Sequence, residues 1–576
     1  MKSLDTDILI LGSGGAGLFA ALHAHQAEPA LSITVAVKGL LGKSGCTRMV
    51  QGGYNVALDA RDSVERHFMD TIEGGKWLPD QELAWKLVTL AVERVRELEN
   101  ELGCFFDRNP DGTIHQKAFA GQTFDRTVHK GDLTGIEIMN RLAEQVWARN
   151  IARLEEHRAV ELVKTRDGAA IAGVLLIDIR TGEFVFARAK AVLLATGGGP
   201  TMYRYHTPSG DKSCDGLAMA LRAGLPLRDM EMVQFHPTGL LAGAHTRMTG
   251  TVLEEGLRGS GGYLLNSAKR RFMPDYDPLA ERATRDFVSR AMFGEMRAGR
   301  VTPNGGLWIS MAHLGPENVR RQFKGMVERC ADCGFDLAGG LVEVVPTAHY
   351  MMGGVEFRAD CSTELKGLYV AGEDSGGVHG ANRLGGNGVA NSTVYGGVAG
   401  EAMAAWLKRE GALREPDRAA IEAAMQRDTP ARASSRALPL TALAPLREKL
   451  YDTMWDKVGI IRNTTGLDAA MVELAALDDE LSSFALSDTD RAFNLSWHDW
   501  LNLKSLVAVS RAIAEAARAR RDSRGAHFRD DFPQTGPLEE SAYSSVRQRG
   551  GRLAIEMKPV AFSRVRPGET LLKDAT

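Results

Sequence analysis

The amino-acid sequence has little of what marks several other classes of protein. No apolar run reaches the roughly 18 residues that a membrane-spanning helix needs. The 70 lysines and arginines nearly balance the 73 aspartates and glutamates, which leaves a formal charge of −3. Because a nucleic-acid binder normally carries a basic excess, the sequence predicts neither a nucleic-acid partner nor a direct membrane span.

Cysteine is scarce as well. Six cysteines in 576 residues do not suggest a disulfide scaffold. Cys330 and Cys333 form a single CxxC, and a zinc site would need a second pair of ligands nearby. No spacing of the cysteines fits an iron–sulfur cluster. We therefore predict ordinary thiols, no bound metal, and electrons that leave any redox site through another molecule.

The N-terminus gives no sign of a targeting segment. A single base, Lys2, precedes the apolar stretch from Ile8 to Leu11, and this stretch is too short for the core of a signal peptide. We interpret it as a buried strand of a cytoplasmic protein. Any association with a membrane would then come through partner subunits.

Glycine, by contrast, is abundant. Clustered glycine usually marks places where the backbone approaches a ligand closely. The 62 glycines include dense groups at positions 12–17, 197–199, 353–354 and 385–397. These groups are candidate parts of one binding site.

A βαβ unit surrounds the first glycine group. A strand from Asp7 to Leu11 ends in Gly12-Ser-Gly-Gly-Ala-Gly17, a helical pattern runs from Leu18 to His25, and a second strand covers Ile33 to Val37. A GxGxxG turn in this position predicts that the pyrophosphate of a dinucleotide lies on the N-terminus of the helix.

The acid that usually binds the ribose hydroxyls after the second strand is missing, and Lys38 stands there instead. Two later segments have the pattern of further parts of the same domain. Ala191 to Gly199 is a buried strand entering a glycine turn, and Gly367 to Glu373 is a strand that ends in an acid. Together they are typical of FAD proteins, and Glu373 can supply the ribose contact that Lys38 cannot.

These segments predict an α/β protein with a discontinuous, Rossmann-like FAD-binding domain and an inserted α+β capping domain. Helical periodicity from Pro445 to Gly459, Leu467 to Leu481 and Asp499 to Arg521 predicts a C-terminal helical domain, followed by a short β tail. The expected limits are 1–235 and 346–408 for the FAD-binding domain, 236–345 for the capping domain, 409–535 for the helical domain and 536–576 for the tail.

Five short segments carry the most specific signal. They are Gln234-Phe-His-Pro-Thr238, Glu255-Gly-Leu-Arg-Gly259, Arg285-Asp286, His349-Tyr-Met-Met-Gly-Gly354 and His379-Gly-Ala-Asn-Arg-Leu-Gly-Gly-Asn387. In this order on one chain they resemble the flavoprotein subunit of succinate dehydrogenase and fumarate reductase, a family that includes L-aspartate oxidase. The resemblance extends from Asp7 to about Pro567.

The resemblance implies a FAD-dependent oxidoreductase that acts on the carbon–carbon bond of a small dicarboxylate. Such a substrate needs cationic groups at both ends. The resemblance assigns this role to His236, His349 and Arg383. It implies hydride transfer at flavin N5 and a proton supplied by Arg285. Because a guanidinium is a poor acid at neutral pH, Glu255 and Arg258 are implied as a relay that reprotonates it.

The resemblance and the glycine-rich turns also predict the residues that contact FAD. They are Gly12, Gly14, Gly15, Ala16, Gly17, Lys38, Ser44, Cys46, Thr47, Gln51, Gly52, Gly53, Ala195, Thr196, Gly197, Asp215, Glu373, Asn387, Gly388 and Val389. Phe119 resembles an aromatic residue near the family's substrate, and packing in the core is the competing interpretation for it.

Two departures from the family concern the flavin. Cys46 stands where many members carry the histidine that bonds FAD covalently. We therefore predict non-covalent FAD, with a linkage through the Cys46 thiolate as the alternative. Within the resemblance, a non-covalent flavin favours fumarate reduction. In addition, Asn387-Gly-Val389 replaces the family's Asn-Ser-Leu, so a hydroxyl contact to the cofactor is lost.

A third departure concerns the substrate. Glu254 stands where the family has a threonine that donates a hydrogen bond to a substrate carboxylate. An ionised Glu254 at about 4 Å would repel that carboxylate by on the order of 4 kcal/mol at an effective dielectric of about 20. Glu254 can point away, it can be protonated, or the substrate can carry a cationic group at that end, as an amino acid does.

The leading interpretation is therefore a catalytic subunit that interconverts succinate and fumarate and passes electrons to a partner such as an iron–sulfur subunit. The segments Trp497-His-Asp-Trp500 and Ser523 to Arg529 resemble the complex-forming members. The alternative is a soluble, L-aspartate oxidase-like enzyme that acts on an amino dicarboxylate. A non-catalytic flavin-binding module is a third interpretation, against which the four retained residues His236, Arg285, His349 and Arg383 argue.

Overall fold

A computed structural model describes residues 1–243, 246–432, 443–486 and 490–572. The strands of these residues are β1 (Lys2–Leu11), β2 (Ile33–Ala36), β3 (Tyr54–Asn55), β4 (Gln116–Lys117), β5 (Thr127–Val128), β6 (Ala152–Leu154), β7 (His157–Lys164), β8 (Ile171–Asp178), β9 (Glu183–Leu194), β10 (Leu227–Arg228), β11 (Val233–Leu240), β12 (Tyr263–Leu265), β13 (Leu307–Ser310), β14 (Leu341–Met351), β15 (Gly354–Val355), β16 (Leu368–Val370), β17 (Ala431–Arg432), β18 (Ala485–Leu486), β19 (Ala542–Arg549) and β20 (Arg552–Pro559).

The helices alternate with these strands in the first part of the chain and dominate the last third. They are α1 (Gly15–Ala27), α2 (Val64–Gly74), α3 (Gln81–Asn100), α4 (Thr134–Trp147), α5 (Asp215–Arg222), α6 (Gly256–Gly259), α7 (Arg285–Arg297), α8 (Pro316–Gln322), α9 (Lys324–Asp332), α10 (Asn387–Glu410), α11 (Arg418–Asp428), α12 (Ala444–Lys457), α13 (Thr464–Ser482) and α14 (Leu495–Ala519).

The largest sheet has the strand order β6-β2-β1-β9-β8-β7, and β16 also pairs with β9. β6, β2, β1, β9 and β16 are parallel, as the predicted βαβ unit requires. Side chains alternate across β1: Ile8 and Ile10 pack with α1, α4 and α10, whereas Leu9 and Leu11 face β7 to β9 on the other side. Both faces of the strand are covered, which explains its continuous apolar run.

The turn after β1 depends on close backbone approach. A Cβ atom at Gly12 would lie 2.2 Å from the carbonyl oxygen of Ala195, and one at Gly17 would lie 2.0 Å from the carbonyl oxygen of Gly12. A Cβ at Gly400 in α10 would lie 2.4 Å from the carbonyl oxygen of Ala20 in α1. Glycine clustering on α10 thus serves helix packing as well as ligand approach, which the sequence interpretation attributed to the ligand alone.

A second sheet lies in the predicted insertion. Its order is β11-β14-β13-β12, and it packs with α7 and α9 around a separate apolar core that contains Leu264, Val288 and Ile309. β11 begins before position 236 and β14 extends beyond position 345. Two neighbouring strands of the insertion that we propose as a capping domain, β11 and β14, therefore extend beyond its expected limits.

The C-terminal part is helical, with a β hairpin after it, as predicted. α12, α13 and α14 lie on the three segments whose periodicity indicated helices, although α12 and α14 each end two residues before the predicted limit. The hairpin β19–β20 pairs with β10, in the sheet β15-β10-β19-β20. The tail thereby returns to the chain near β11. The end of the predicted tail, 573–576, lies outside the described residues.

A buried ion pair joins the helical part to this sheet. Arg520, directly after α14, donates to Glu231 Oε1 at 2.6 Å and to the carbonyl oxygen of Ala542 at 2.9 Å. The Arg520 and Glu231 side chains are 2% and 0% exposed. Because both side chains are buried, removal of one would leave the other charge without hydration. The ion pair connects the end of α14 to the loop before β11.

Even the longest helices, α10 and α14, are interrupted by polar or charged residues. In the ranges that the structure describes, no helix combines the length and apolarity needed to cross a lipid bilayer.

We expect Arg520→Met to lower the free energy of unfolding by about 3–5 kcal/mol, because it leaves the Glu231 carboxylate buried without its cation. The control is Arg518→Met in the last turn of α14, which removes an ion pair to Asp468 whose two side chains are each 51% exposed. The control substitution should lower the free energy of unfolding by less than about 1 kcal/mol. Urea denaturation measures this free energy for both variants. Equal losses would contradict a stabilising role for the Arg520–Glu231 pair.

Candidate active site

One cavity of about 600 Å³ brings together most of the residues predicted from the sequence. It runs from the turn after β1 to the segment between β11 and α7. Every predicted site residue lines it apart from Gly17, Arg258 and Asn387. Gly17 packs α1 on the turn, and Arg258 lies directly behind Glu255.

Two helix N-termini face this cavity. α1 begins after Gly14 and α10 begins after Gly386, and neither of these residues caps its helix with a side chain. The first N–H groups of a helix and the positive end of its dipole attract anionic ligands. The glycine turn and α1 fit the pyrophosphate of FAD, and the α10 terminus fits an electron-rich ring.

A charged group closes the cavity beside the end of β2. Lys38 Nζ lies 3.1 Å from Asp215 Oδ2, and Arg158 donates to Asp215 Oδ1 at 2.6 Å. Burial acts to raise the pKa of Asp215, but Arg158 and Lys38 outweigh it and lower that pKa well below its ordinary value. The ionised carboxylate beside the second strand is therefore that of Asp215.

Glu373 takes a different place. Its Oε1 accepts hydrogen bonds from the N–H groups of Met351 (2.9 Å) and Gly199 (3.3 Å). Burial raises the pKa of its carboxyl. Glu373 lines the cavity, but Asp215 is the acid that lies beside Lys38. The ribose contact predicted for Glu373 stays a prediction, and Asp215 is a second acid that could make it.

Cys46 begins a short 3₁₀ turn, Cys46–Met49, and lines the cavity. Burial, with the nearby carboxylate of Glu373, raises the pKa of its thiol to about 12. Since the thiolate is the nucleophilic form of cysteine, this environment disfavours a covalent link to the flavin.

Asn387 differs from its predicted role. Its side-chain oxygen accepts from Asn55 Nδ2 (2.8 Å) and lies 3.0 Å from His67 Nε2, and its Nδ2 donates to Thr71 Oγ1 (3.1 Å). The amide thus holds the start of α10 against α2 and β3. The neighbouring Gly388 and Val389 line the cavity instead.

Two histidines from adjacent antiparallel strands lie at the other end of the cavity. His236 is on β11 opposite Thr347, and His349 follows on β14. Their ring centroids are 5.4 Å apart. Pro237 cannot donate to the β14 ladder, and the strand register shifts between His236 and Gly239. Such an irregularity re-aims a side chain.

Both imidazoles are neutral in this arrangement. Burial lowers the pKa of His236 and of His349 well below the ordinary value, and nearby arginines lower it further. The N–H of Thr238 donates to His236 Nδ1 at 3.3 Å. The proton of the His236 ring is therefore on Nε2, from which it can be donated to a bound oxygen.

The arginine cluster, which we define as Arg258, Arg285, Arg383, Glu255 and Gln234, lies beside the histidines. Arg285 donates to Glu255 Oε1 at 3.1 Å and to Oε2 at 2.6 Å. Arg258 donates to the same Oε1 at 3.1 Å. Burial acts to raise the pKa of Glu255, but the two arginines outweigh it and hold that pKa at about 2.

Gln234 joins the two arginines that face the cavity. Its Oε1 accepts from Arg285 Nη1 and from Arg383 Nη2, both at 3.1 Å. Its Nε2 donates to Asn382 Oδ1 (3.0 Å) and to the carbonyl oxygen of Arg383 (2.7 Å), which fixes the orientation of the amide. Gln234 belongs to one of the five specific segments, but no signal in the sequence indicates that it bridges these side chains.

The arginine cluster holds three guanidinium groups and one carboxylate, all of them buried. Two positive charges are therefore uncompensated within it. The proximity of these positive charges also affects Arg383. Burial and the charge of Arg285 lower the pKa of its guanidinium to about 10. A dianion would balance the cluster.

Phe119 and Gly385 pack against the cluster. A Cβ atom at Gly385 would lie 2.6 Å from Glu255 Oε2, 2.7 Å from Phe119 Cδ2 and 3.0 Å from Arg285 Nη2. The Phe119 ring also lies against Gly52, where a Cβ would be 2.3 Å from Cζ. Phe119 thus lines the cavity and also packs tightly, and its position near a substrate stays a prediction.

Glu254 is buried in the cavity wall and paired with Lys117 of β4. Lys117 was missed by sequence analysis, because the two residues are separated by 137 positions. Arg329 of α9 also lines the cavity and donates to the carbonyl oxygen of Val252 at 3.2 Å. It too was missed.

The fold and the cavity define a FAD-dependent oxidoreductase. Comparison with known proteins agrees. The family described as FAD binding domain matches residues 7–389, and the family described as fumarate reductase flavoprotein C-term matches residues 447–571. The chain belongs to the flavoprotein family of succinate dehydrogenase and fumarate reductase.

Individual relatives cover nearly the whole chain. A fumarate reductase (CoM/CoB) subunit of Methanothermobacter marburgensis is 40% identical, over 92% of this chain and 95% of that protein. The fumarate reductase flavoprotein subunit of Escherichia coli is 34% identical, over 92% and 89%. A solved structure of the E. coli quinol fumarate reductase flavoprotein superposes with a TM-score of 0.91 at 32% identity and covers 99% of both chains.

We expect the flavin to leave the protein on denaturation, because the Cys46 thiol is protonated where a thiolate would be needed for attachment. Precipitation with acid followed by absorbance spectroscopy of the supernatant measures the released FAD. Flavin fluorescence that stays with the polypeptide on a denaturing gel would contradict this.

We expect Gly385→Ala to lower kcat for the substrate by about 100-fold, because its methyl group would displace Arg285 or Glu255, and a shift of about 1 Å can have an effect of this size. Gly210→Ala is the control, since nothing lies within 4 Å of a Cβ there. Steady-state kinetics and the flavin spectrum separate lost activity from lost FAD. Equal activity of the two variants would contradict the proposed geometry.

Proposed function

We propose that this flavoenzyme interconverts fumarate and succinate, works mainly in the direction of fumarate reduction, and exchanges electrons with a partner protein such as an iron–sulfur subunit. The observation that carries the proposal is the arginine cluster with its two uncompensated positive charges in a buried cavity. The dianion of a four-carbon dicarboxylate supplies two negative charges on groups that arginine binds well.

The binding residues approach such a substrate from different elements. Arg383 precedes α10, Arg285 begins α7, and His236 and His349 lie on β11 and β14. The neutral histidines donate hydrogen bonds without adding charge. The chemistry that FAD supplies when bound is the exchange of a hydride equivalent with one carbon of the substrate. Because His236, Arg285 and Arg383 are buried, they help to exclude water from the reacting bond.

We assign the proton for the second carbon to Arg285. Its guanidinium is anchored to the Glu255 carboxylate by two hydrogen bonds, and the third arginine, Arg258, lies on the far side of Glu255. After Arg285 gives up a proton, Glu255 and Arg258 form a path by which one can return.

The pairing of Glu254 with Lys117 bears on the alternative substrate. An amino dicarboxylate such as L-aspartate would need a carboxylate to receive its ammonium group. Glu254 already forms an ion pair with Lys117, and Glu255 already forms one with Arg285. The described contacts thus favour a dicarboxylate without an amino group over the aspartate oxidase interpretation.

The partner is proposed from the relatives. The E. coli protein is named a flavoprotein subunit, and the archaeal protein is named as one subunit of a fumarate reductase (CoM/CoB). The present chain covers nearly all of both, so we propose a similar place in a complex. Reduction by an artificial donor such as reduced benzyl viologen replaces the partner in an assay.

The experiment that tests the function is an anaerobic titration of the FAD-loaded protein. Fumarate should reoxidise flavin that has been reduced with dithionite, and succinate should reduce the oxidised flavin more slowly. L-aspartate, in the presence of oxygen, should produce no hydrogen peroxide above the background. A flavin that responds to L-aspartate but not to fumarate would overturn the proposal.

We expect Arg285→Gln to lower the rate of fumarate reduction by about 10²- to 10⁴-fold, the usual contribution of a positioned proton donor. Arg297→Gln at the other end of α7 is the control, because its side chain is 55% exposed. FAD absorbance should be unchanged in both. A substantially active Arg285→Gln variant would remove this residue from the proton-transfer step.

A further inference from the structure

An ion pair in the cavity wall has no role in the mechanism described so far. Lys117 Nζ on β4 contacts Glu254 Oε1, and the two side chains are 20% and 8% exposed. Glu254 lines the same cavity as His236 and Arg285. A carboxylate in this wall is unfavourable for an anionic substrate unless a cation neutralises it.

An aromatic ring and a glycine flank the ion pair. Lys117 Nζ also lies 5.7 Å from the centroid of the Phe119 ring, which faces the cavity. On the other side, Glu254 Oε1 turns towards Gly256, where a Cβ would lie 3.3 Å from it. The pair therefore connects β4 with the segment that enters α6, across the wall beside the arginine cluster.

The pair also decides which charges a ligand meets. With Lys117 present, Glu254 is neutralised and the arginine cluster retains its two uncompensated positive charges. Without Lys117, Glu254 would offset one of these charges and present an acceptor to a cationic ligand. The interaction energy between charged groups in a poorly hydrated site is large enough to change substrate preference.

We propose that the Lys117–Glu254 pair is a specificity determinant, which admits a dicarboxylate dianion and withholds Glu254 from the ammonium group of an amino dicarboxylate. This inference rests on the proposed function and extends it to the choice between two substrate classes. The chemistry concerned is substrate binding, so its effect belongs chiefly in KM and in ligand affinity.

Three variants test the pair. Lys117→Met should raise KM for fumarate by about 30-fold, since it leaves Glu254 uncompensated near the substrate, and this change should exceed the change in kcat. Lys117→Met combined with Glu254→Thr should restore most of the affinity, because the unpaired carboxylate is gone. Lys117→Arg should retain it. Lys130→Met, on a side chain that is 38% exposed, controls for general loss of a lysine.

A second readout does not require turnover. Titration of the oxidised flavin with fumarate, which cannot reduce it, and with L-aspartate, followed by absorbance, gives the affinity of each. In Lys117→Met we expect weaker fumarate binding and stronger L-aspartate binding than in the wild type. Refolding defects would instead reduce both and would not be reversed by Glu254→Thr.

The outcomes separate the two proposals. If the wild type reduces fumarate and Lys117→Met behaves like it in KM and in both titrations, the role of the pair is wrong while the function stands. If the double variant is no better than Lys117→Met, the pair is again wrong. If the wild type does not reduce fumarate and its reduced flavin is not reoxidised by fumarate, the proposed function is wrong. The titrations then still decide whether the Lys117–Glu254 pair selects between the two ligands.

Discussion

Three buried guanidinium groups around one carboxylate, Glu255, are the constraint on which the active site depends. Like charges at this separation repel one another, so they persist only because Glu255 and the side-chain carbonyl oxygen of Gln234 accept their hydrogen bonds. The cluster is incompletely neutralised until an anion enters. The binding of an anion and the stability of the site are therefore two aspects of one electrostatic balance.

The fold supplies this cluster from elements that are distant in the chain. The parallel strands of the large sheet fix the turns at 12–17 and 195–197 and the start of α10, which form the FAD end of the cavity. The second sheet brings β11 and β14 together and so places His236 beside His349. α7 adds Arg285 and the segment around Gly385 adds Arg383. Glycine at 385 lets these groups approach within hydrogen-bonding distance.

Charge pairing recurs at three places around the cavity. Asp215 is held between Lys38 and Arg158, Glu254 is held by Lys117, and Glu255 is held by two arginines. Each pair removes a carboxylate that would otherwise repel an anionic ligand. The cavity is thus suited to anionic ligands, such as the pyrophosphate of FAD and the proposed dicarboxylate, although the whole chain has a slight negative charge.

The sequence by itself determined the βαβ unit, the discontinuous domain, the helical C-terminal part and the identity of most cavity residues, because turn glycines and apolar periodicity depend on local backbone geometry. Tertiary structure alone decided which charges cancel. Lys117 and Glu254 are far apart in the chain, Asp215 is the acid beside Lys38, and the Asn387 amide turns away from the cavity towards His67. Electrostatic energy depends on the distance between side chains in space, and no spacing along the sequence encodes that distance.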